Sequence, residues 1–265
     1  MKSGHWKQIL KKTLVTSALS LSMVAAFTAC GKKQEDDEIV MNSAATQAPD
    51  TRTEMERLLD EANRGDGRAM YELAYIYTYG NEEVAVDYKA ANEWIDRANL
   101  KGVGDAMNLR GDMYQWALGT PTDLKEALTW YKKAALNGST TGMVNTGIMY
   151  LDGQGVDQDF ATALEYFEKA AKAGDAAGMN RYGVMYFNAW GVDQDYAVAF
   201  EWISKAAEGG NVSAMRNLAV MYRNGYGVEA SPEKGLQWEQ MANEAVAAAS
   251  KTEAATEDDA TEAAK

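Results

Sequence analysis

Apolar and small residues recur along this chain with a helical spacing, and the arrangement itself then repeats. The segments AMYELAYIY, AMNLRGDMY, GMVNTGIMY, GMNRYGVMY and AMRNLAVMY carry Met70, Met107, Met143, Met179 and Met215, which lie 37, 36, 36 and 36 residues apart. Counting each methionine as position 0, positions 0, 3, 4, 6 and 7 are mostly apolar or small. At about 100° per residue they share one face of a helix, helix A. Two further columns keep a period of 36: the aromatics Trp94, Trp130, Tyr166, Trp202 and Trp238, and the alanines Ala98, Ala134, Ala170, Ala206 and Ala242. Asp87, Asp123, Asp159, Asp195 or Ser231 stands seven residues ahead of each aromatic. A side-chain oxygen there accepts from the free N–H groups of a first turn, so each is a good N-cap for a second helix, helix B. Gly65, Gly102, Gly138, Gly174 and Gly210 close helix B, because a left-handed residue after the last turn suits glycine.

These columns predict five helix-turn-helix repeats stacked into an all-α solenoid. Gly111, Gly147 and Gly183 sit inside helix A, where glycine costs about 1 kcal/mol relative to alanine. Their recurrence at one position predicts close approach of another helix, with Ala74 and Ala219 as the only replacements. The aromatic and alanine columns are expected to form a packed face. Asp66, Ser139, Asp175 and Asn211 are placed to cap the following helix A, while Val103 breaks that series and Asp105 is the expected substitute. The single interval of 37 puts one extra residue between Tyr77 and Trp94. At the position after each aromatic stand Ile95, Tyr131, Phe167 and Ile203, then Glu239. An outer repeat has no following neighbour, so that charge is expected to reach water. Residues 51–64 read as an orphan helix B capping the first repeat, with Thr51 and Glu54 as its capping box.

The best-preserved stretch, AAKAGDAAGMNRYGVMYFNAWGVDQDYAVAFEWISKAA, resembles the Sel-one-like repeat family, a branch of the tetratricopeptide-type helical repeats. The resemblance covers five copies within residues 65–243. It implies a right-handed α/α superhelix serving as a protein-binding adaptor, with no cofactor and no particular partner. Some secreted members carry a disulfide in each repeat and are linked to penicillin binding. No repeat here contains cysteine, so those traits are not carried over.

The two ends differ from the repeats. Residues 1–29 hold Lys2, Lys7, Lys11 and Lys12, no acid, and an apolar stretch from Thr13 to Ala29. This is the plan of a signal peptide, and it is shorter than the ~20 apolar residues of a membrane span. It ends AAFTAC, similar to the lipobox of bacterial lipoproteins, which implies lipidation of Cys30. The alternative is ordinary cleavage after Ala29, leaving a free thiol. Gly31 is not the aspartate associated with inner-membrane retention, so the resemblance implies an outer-membrane lipoprotein facing the periplasm. Residues 30–50 read as a flexible tether and 244–265 as an acidic low-complexity tail. Removal of residues 1–29 takes Lys plus Arg from 26 to 22 against 39 acids, and net charge from −13 to −17. That disfavours nucleic acid as a partner and leaves the membrane reachable through the anchor only.

Chemistry is sparse. The only histidine, His5, and the only cysteine, Cys30, both lie in or beside the leader. Ser–His–Asp and Cys–His catalysis and His/Cys zinc sites therefore have no residues to use. Ser231-Pro-Glu-Lys234 fits the S-x-x-K of serine β-lactamases, yet Ser231 occupies the N-cap column and Pro232 the favoured first helical position. The acidic runs at 35–38 and 257–259 lack the glycine and spacing of a calcium loop, so no metal site is expected.

The expected partner surface is the strip at positions 1, 5 and 8 of helix A, the helix that usually lines the concave side of such stacks. Its residues are Tyr71, Tyr75 and Thr78; Asn108, Asp112 and Gln115; Val144, Ile148 and Leu151; Asn180, Val184 and Phe187; and Arg216, Val220 and Arg223. Ile148, Leu151, Val184 and Phe187 form its apolar centre, rimmed by polar ends. Stacking of the superhelix could instead bury position 5. The functions that remain are a protein-binding scaffold, a wall-modifying enzyme at Ser231, and a peptidoglycan or carbohydrate binder using Trp116, Trp190, Tyr79 and Tyr226 near the A–B loops.

Overall fold

The computed structural model describes residues 52–263, with side chains through Lys251. Over that span the chain is all helical. An initial helix, α1 (Glu54–Asn63), precedes five hairpins of helices A and B: α2 (Gly67–Tyr79) with α3 (Tyr88–Leu100), α4 (Gly104–Gln115) with α5 (Leu124–Leu136), α6 (Thr140–Asp152) with α7 (Phe160–Lys172), α8 (Ala176–Asn188) with α9 (Tyr196–Glu208), and α10 (Val212–Asn224) with α11 (Pro232–Ala263).

Caps set the register of this series. Asp87, Asp123, Asp159 and Asp195 each accept two backbone N–H bonds of helix B, at 2.9–3.1 Å. Asp66, Ser139, Asp175 and Asn211 each accept one in helix A. Asp105 does not replace the missing cap of α4: its carboxylate accepts from the Ser139 hydroxyl at 2.7 Å instead, tying repeat 2 to repeat 3. The extra residue of the first copy lies in the loop from Gly80 to Asp87, where Asn81 Oδ1 accepts from the backbone of Glu83 and Val84.

The mid-helix glycines mark the closest approach of A to B within a hairpin. A Cβ on Gly111, Gly147 or Gly183 would lie 2.5, 2.6 and 2.7 Å from the side chains of Tyr131, Phe167 and Ile203. Those residues, with Ile95, are the fully buried column of helix B. The neighbouring column expected in the packed face is only half-buried. Trp94, Trp130, Tyr166 and Trp202 instead carry the cations of Arg97, Lys133, Lys169 and Lys205 over their rings at 3.9–4.9 Å. The alanine column is fully buried, in the first four repeats beneath the next helix A.

Successive A helices pack on one another, whereas B helices contact chiefly A helices. Helices A therefore form the inner layer of the stack. The core is divided into five clusters, most of them shared by neighbouring repeats; one joins Val144 and Phe167 to Tyr182 and Met185. At the start α1 occupies the place of a preceding helix B, with Ala62 fully buried 36 residues before Ala98. Thr51 lies outside the described residues. At the far end Glu239 is half-buried and ion-paired with Arg223 rather than simply hydrated. Helix α11 runs on to Ala263, past the expected boundary at 244, because the Ala- and Glu-rich tail is made of strong helix formers.

Candidate partner-binding face

The inner helices hold the expected strip in three zones. In the first, Tyr71, Tyr75 and Tyr79 of α2 stand one turn apart. Their ring centroids are 6.2 Å apart for the first pair and 4.8 Å for the second. All three are half-buried, as is Asp112 on the adjacent α4. Asp112 Oδ2 accepts from Asn108 Nδ2 at 3.2 Å. Its Oδ1 lies 2.7 Å from the Tyr131 hydroxyl, which also lies 2.6 Å from Gln115 Oε1. One phenolic proton cannot serve two acceptors at once. A proton on Asp112 resolves this, because the acid then donates to the Tyr131 oxygen while Tyr131 donates to Gln115. Burial pushes the Asp112 carboxyl up to about 7, against the opposing pull of the Tyr131 bond. Burial first, then the charge of Asp112, raises the phenols of Tyr75 and Tyr79 above their ordinary range. Tyr71 is raised by burial and then by the charges of Asp105, Tyr75 and Asp112.

The middle zone is less open than its spacing predicts. Leu151 and Asn180 are each only 8 % exposed, so neither offers a side chain to a partner as the strip requires. Leu151 is drawn into the cluster shared by repeats 3 and 4. Asn180 accepts from Asn217 Nδ2 at 2.9 Å, and Asn108 accepts from Asn145 Nδ2 at the same distance. These two amide rungs join repeats 4 to 5 and 2 to 3. Ile148, Val184 and Phe187 remain half-buried, so stacking covers position 5 only in part. A cleft of about 130 Å³ opens among Val184, Phe187, Asn217, Val220 and Met221. In the last zone Arg216 and Arg223 are exposed, Arg223 in its ion pair with Glu239.

The residues considered for other functions are engaged locally. The ring of Trp190 stacks on Phe160 at 5.9 Å and 9°, and Tyr226 packs between Phe187 and Tyr196. Trp116 is the most open of the loop aromatics, 49 % exposed. The Ser231 hydroxyl accepts from the Lys234 backbone N–H at 3.4 Å, while the Lys234 ammonium sits over the ring of Tyr222. That is a helix cap and a surface cation–π contact, not an activated nucleophile. A polar cleft of about 170 Å³ lies at the turn between repeats 2 and 3, around Asp105, Asn137 and Ser139. Both clefts are smaller than the ~300–1,000 Å³ of small-molecule sites. Among the described residues no group of His, Cys, Asp and Glu is arranged to hold a metal, and no helix is long and apolar enough to cross a membrane. Cys30, His5 and the acidic run at 35–38 lie outside the described residues, and no side chain is described for 257–259.

Sequence reasoning missed Tyr131, Asn145 and Asn217. Tyr131 stands in a column that holds Ile or Phe in the other inner repeats, and its hydroxyl needs a partner there. The asparagine pairs are 37 residues apart, one off the repeat, so a search at fixed period passes over them.

The Sel1 repeat pattern matches residues 67–103, 104–139, 140–175, 176–211 and 212–245. Among solved structures, c5321, a protective antigen of uropathogenic Escherichia coli strains displaying an SLR fold, is 38 % identical with a TM-score of 0.64. The match covers 72 % of this chain and 41 % of that one, so this chain spans about two fifths of its length. A Sel1 repeat protein of Oxalobacter formigenes is 30 % identical with a TM-score of 0.63, over 71 % of this chain and 75 % of the other. The immunity protein PA5088 of Pseudomonas aeruginosa shares the fold at 21 % identity and a TM-score of 0.50, over 78 % and 77 %. A comparison with curated proteins finds no match. With five consecutive repeats matched and two solved structures alike in sequence and fold, the chain belongs to the Sel1 repeat family.

Proposed function

We propose that this protein is a non-catalytic adaptor that holds a protein partner along its inner helices and is tethered by lipid on Cys30 to the outer membrane, facing the periplasm. Sel1 repeats generally mediate protein–protein interaction, which supports the first half of this reading. The observation that carries it is the inner face itself. Half-buried Tyr75, Ile148, Val184 and Phe187 lie along it, the last two lining an apolar cleft with Val220 and Met221, with Asp112 toward one end and Arg216 toward the other. Apolar surface rimmed by polar groups is the usual anatomy of a protein interface. The lipobox-like AAFTAC supports the second half, as does the likeness to a protein described as a protective antigen.

Photo-crosslinking in cells tests the adaptor. A crosslinker at Tyr75 or Phe187 is expected to capture the same protein, and one at the exposed outer residue Glu165 is expected not to. Equal capture from all three positions, or none from the inner pair, refutes an inner partner face. Labelling with a radioactive fatty acid is expected in the wild type and not in Cys30→Ala. A second reading rests on the exposure of Trp116 and assigns binding to peptidoglycan. Co-sedimentation with purified sacculi that is lost in Trp116→Ala would favour it.

A further inference from the structure

We propose that Asp112 and the tyrosine ladder Tyr71, Tyr75 and Tyr79 form a receptor for a cationic side chain, arginine in the first instance, carried by the protein partner. The proposal rests on the adaptor reading and names the chemistry of what is held at its first two repeats.

Three observations converge on this place. The first is a carboxylate with unused capacity. Once ionised, as it is above its midpoint, Asp112 accepts one bond from Tyr131 and one from Asn108, leaving further lone-pair directions open. Among the described residues no lysine or arginine is ion-paired with it. A half-buried carboxylate without a counterion is disfavoured by the low local dielectric, and a docked cation removes that penalty.

The second is the aromatic wall. Three phenol rings stand on the facing helix α2, one per turn, with centroids 4.8 and 6.2 Å apart. The ring faces of tyrosine attract cations electrostatically, and the attraction strengthens where water is partly excluded. The three tyrosines pack against Leu109 and Met113, which flank Asp112 on α4, so carboxylate and rings stand at one joint between α2 and α4. A guanidinium is planar and fits both demands, stacking on a ring while its edge donates to a carboxylate.

The third is the distribution of charge along the face. The acid and tyrosines occupy repeats 1 and 2, and repeat 5 carries exposed Arg216 beside the Arg223–Glu239 ion pair. An extended partner that meets both ends with complementary charge has one favoured direction along the stack. The site described by Asp112 is thus a polarity marker as well as an anchor. The titratable groups coupled to Asp112 are Tyr71, Tyr75 and Tyr79 from α2 and Tyr131 from α5.

The probe is acetyl-Arg-Arg-amide, with the neutral isostere acetyl-citrulline-citrulline-amide as its control. Carbon-13 NMR of the Asp112 carboxyl in the intact protein reads the site directly. Saturating arginine peptide is expected to lower the Asp112 midpoint by one unit or more, and the citrulline peptide to leave it in place. One unit corresponds to about tenfold tighter binding to the ionised site than to the protonated one. Asp112→Asn is expected to weaken the arginine peptide about tenfold at pH 8. Asp157→Asn, which removes the same charge from the exposed A–B loop of repeat 3, is expected to change it by less than twofold. Tyr75→Leu keeps the carboxylate and removes a ring face, and severalfold weaker binding is expected. That variant carries the test if Asp112→Asn does not fold. An unmoved Asp112 midpoint, or equal losses in Asp112→Asn and Asp157→Asn, overturns the receptor. If crosslinks from Phe187 persist in that case, the adaptor reading survives without it. A shifted midpoint with no partner captured supports the receptor and refutes the adaptor.

Discussion

Asp112 shows how one residue carries both a liability and a use. Its carboxyl is held at about 7 by burial, far above the ~3.9 of an unfolded chain. Between those values the folded state binds more protons than the unfolded one, so this residue's contribution to stability is full below about pH 4. It is lost as the pH rises through 7. Asp112→Asn is therefore expected to be neutral near pH 4 and stabilising at pH 8. The gain is on the order of 2 kcal/mol, reduced from the full shift because the group is only half-buried. Thermal melts at both pH values check this, and a variant equally stabilised at pH 4 contradicts it. A second residue-scale strain lies at Ala189, which holds φ 57 where repeats 3 and 5 place Gly153 and Gly225. A left-handed alanine costs about 1–2 kcal/mol, offset in part by the greater unfolded freedom of glycine. Ala189→Gly is expected to raise stability by about 0.5–1 kcal/mol in denaturant titration. The capping aspartates were legible from sequence, since a cap needs only its own backbone. The helix that carries Asp112 was legible, but its coupling to Tyr131 was not, because it depends on a contact between two helices.

At the scale of the element, glycines that look alike in sequence do different things. Gly174 ends α7 in the left-handed region with open space around a Cβ. Gly155 is also left-handed, but a Cβ there would lie 2.5 Å from the Leu124 carbonyl oxygen of the preceding repeat. Gly174→Ala is expected to cost about 1 kcal/mol from conformation alone. Gly155→Ala is expected to cost at least 2 kcal/mol more, since backbone must move and the joint between repeats 2 and 3 with it. Comparable losses in chemical denaturation would show that the loop does not press on α5. The sequence periodicity located the helices of the repeats to within a few residues, apart from the far end of α11. It placed the aromatic column in the packed face, although the fully buried column lies one residue further on. A step of one residue turns only 100° about the axis, so two adjacent columns can both belong to one broad apolar stripe. Which of them faces inward is decided by the bare backbone of Gly111, Gly147 and Gly183, into which Tyr131, Phe167 and Ile203 fit.

Across the whole molecule, stability resides at the joints. Helix α1 covers Met70 and Leu73 with Leu58 and Ala62, in a cluster that no later repeat touches beyond Ala106. Its removal is expected to cost about 3–5 kcal/mol locally, by the scale of losing buried apolar side chains. Amide exchange should accelerate in α2 and α3 and stay unchanged in α8 and α10, as nearest-neighbour coupling requires. Loss of protection along the entire chain would instead mean a single cooperative core. The repeat architecture was legible because a period of 36 leaves little choice of stacking. The closure of Leu151 and Asn180 was not, because it depends on the pitch between hairpins, which no single copy encodes.

That division of the interior into five small clusters gives the stack an elastic character. A globular domain resists bending until it breaks, whereas here a slight tilt can be spread over several joints in series, each yielding a little. The Asn108–Asn145 and Asn180–Asn217 rungs tie repeats 2 to 3 and 4 to 5, while the Arg110–Asp96 ion pair and the Thr140–Asp175 hydrogen bond span the other two joints. The protein is in this sense a leaf spring, its leaves pinned one to the next by a polar bond at each joint.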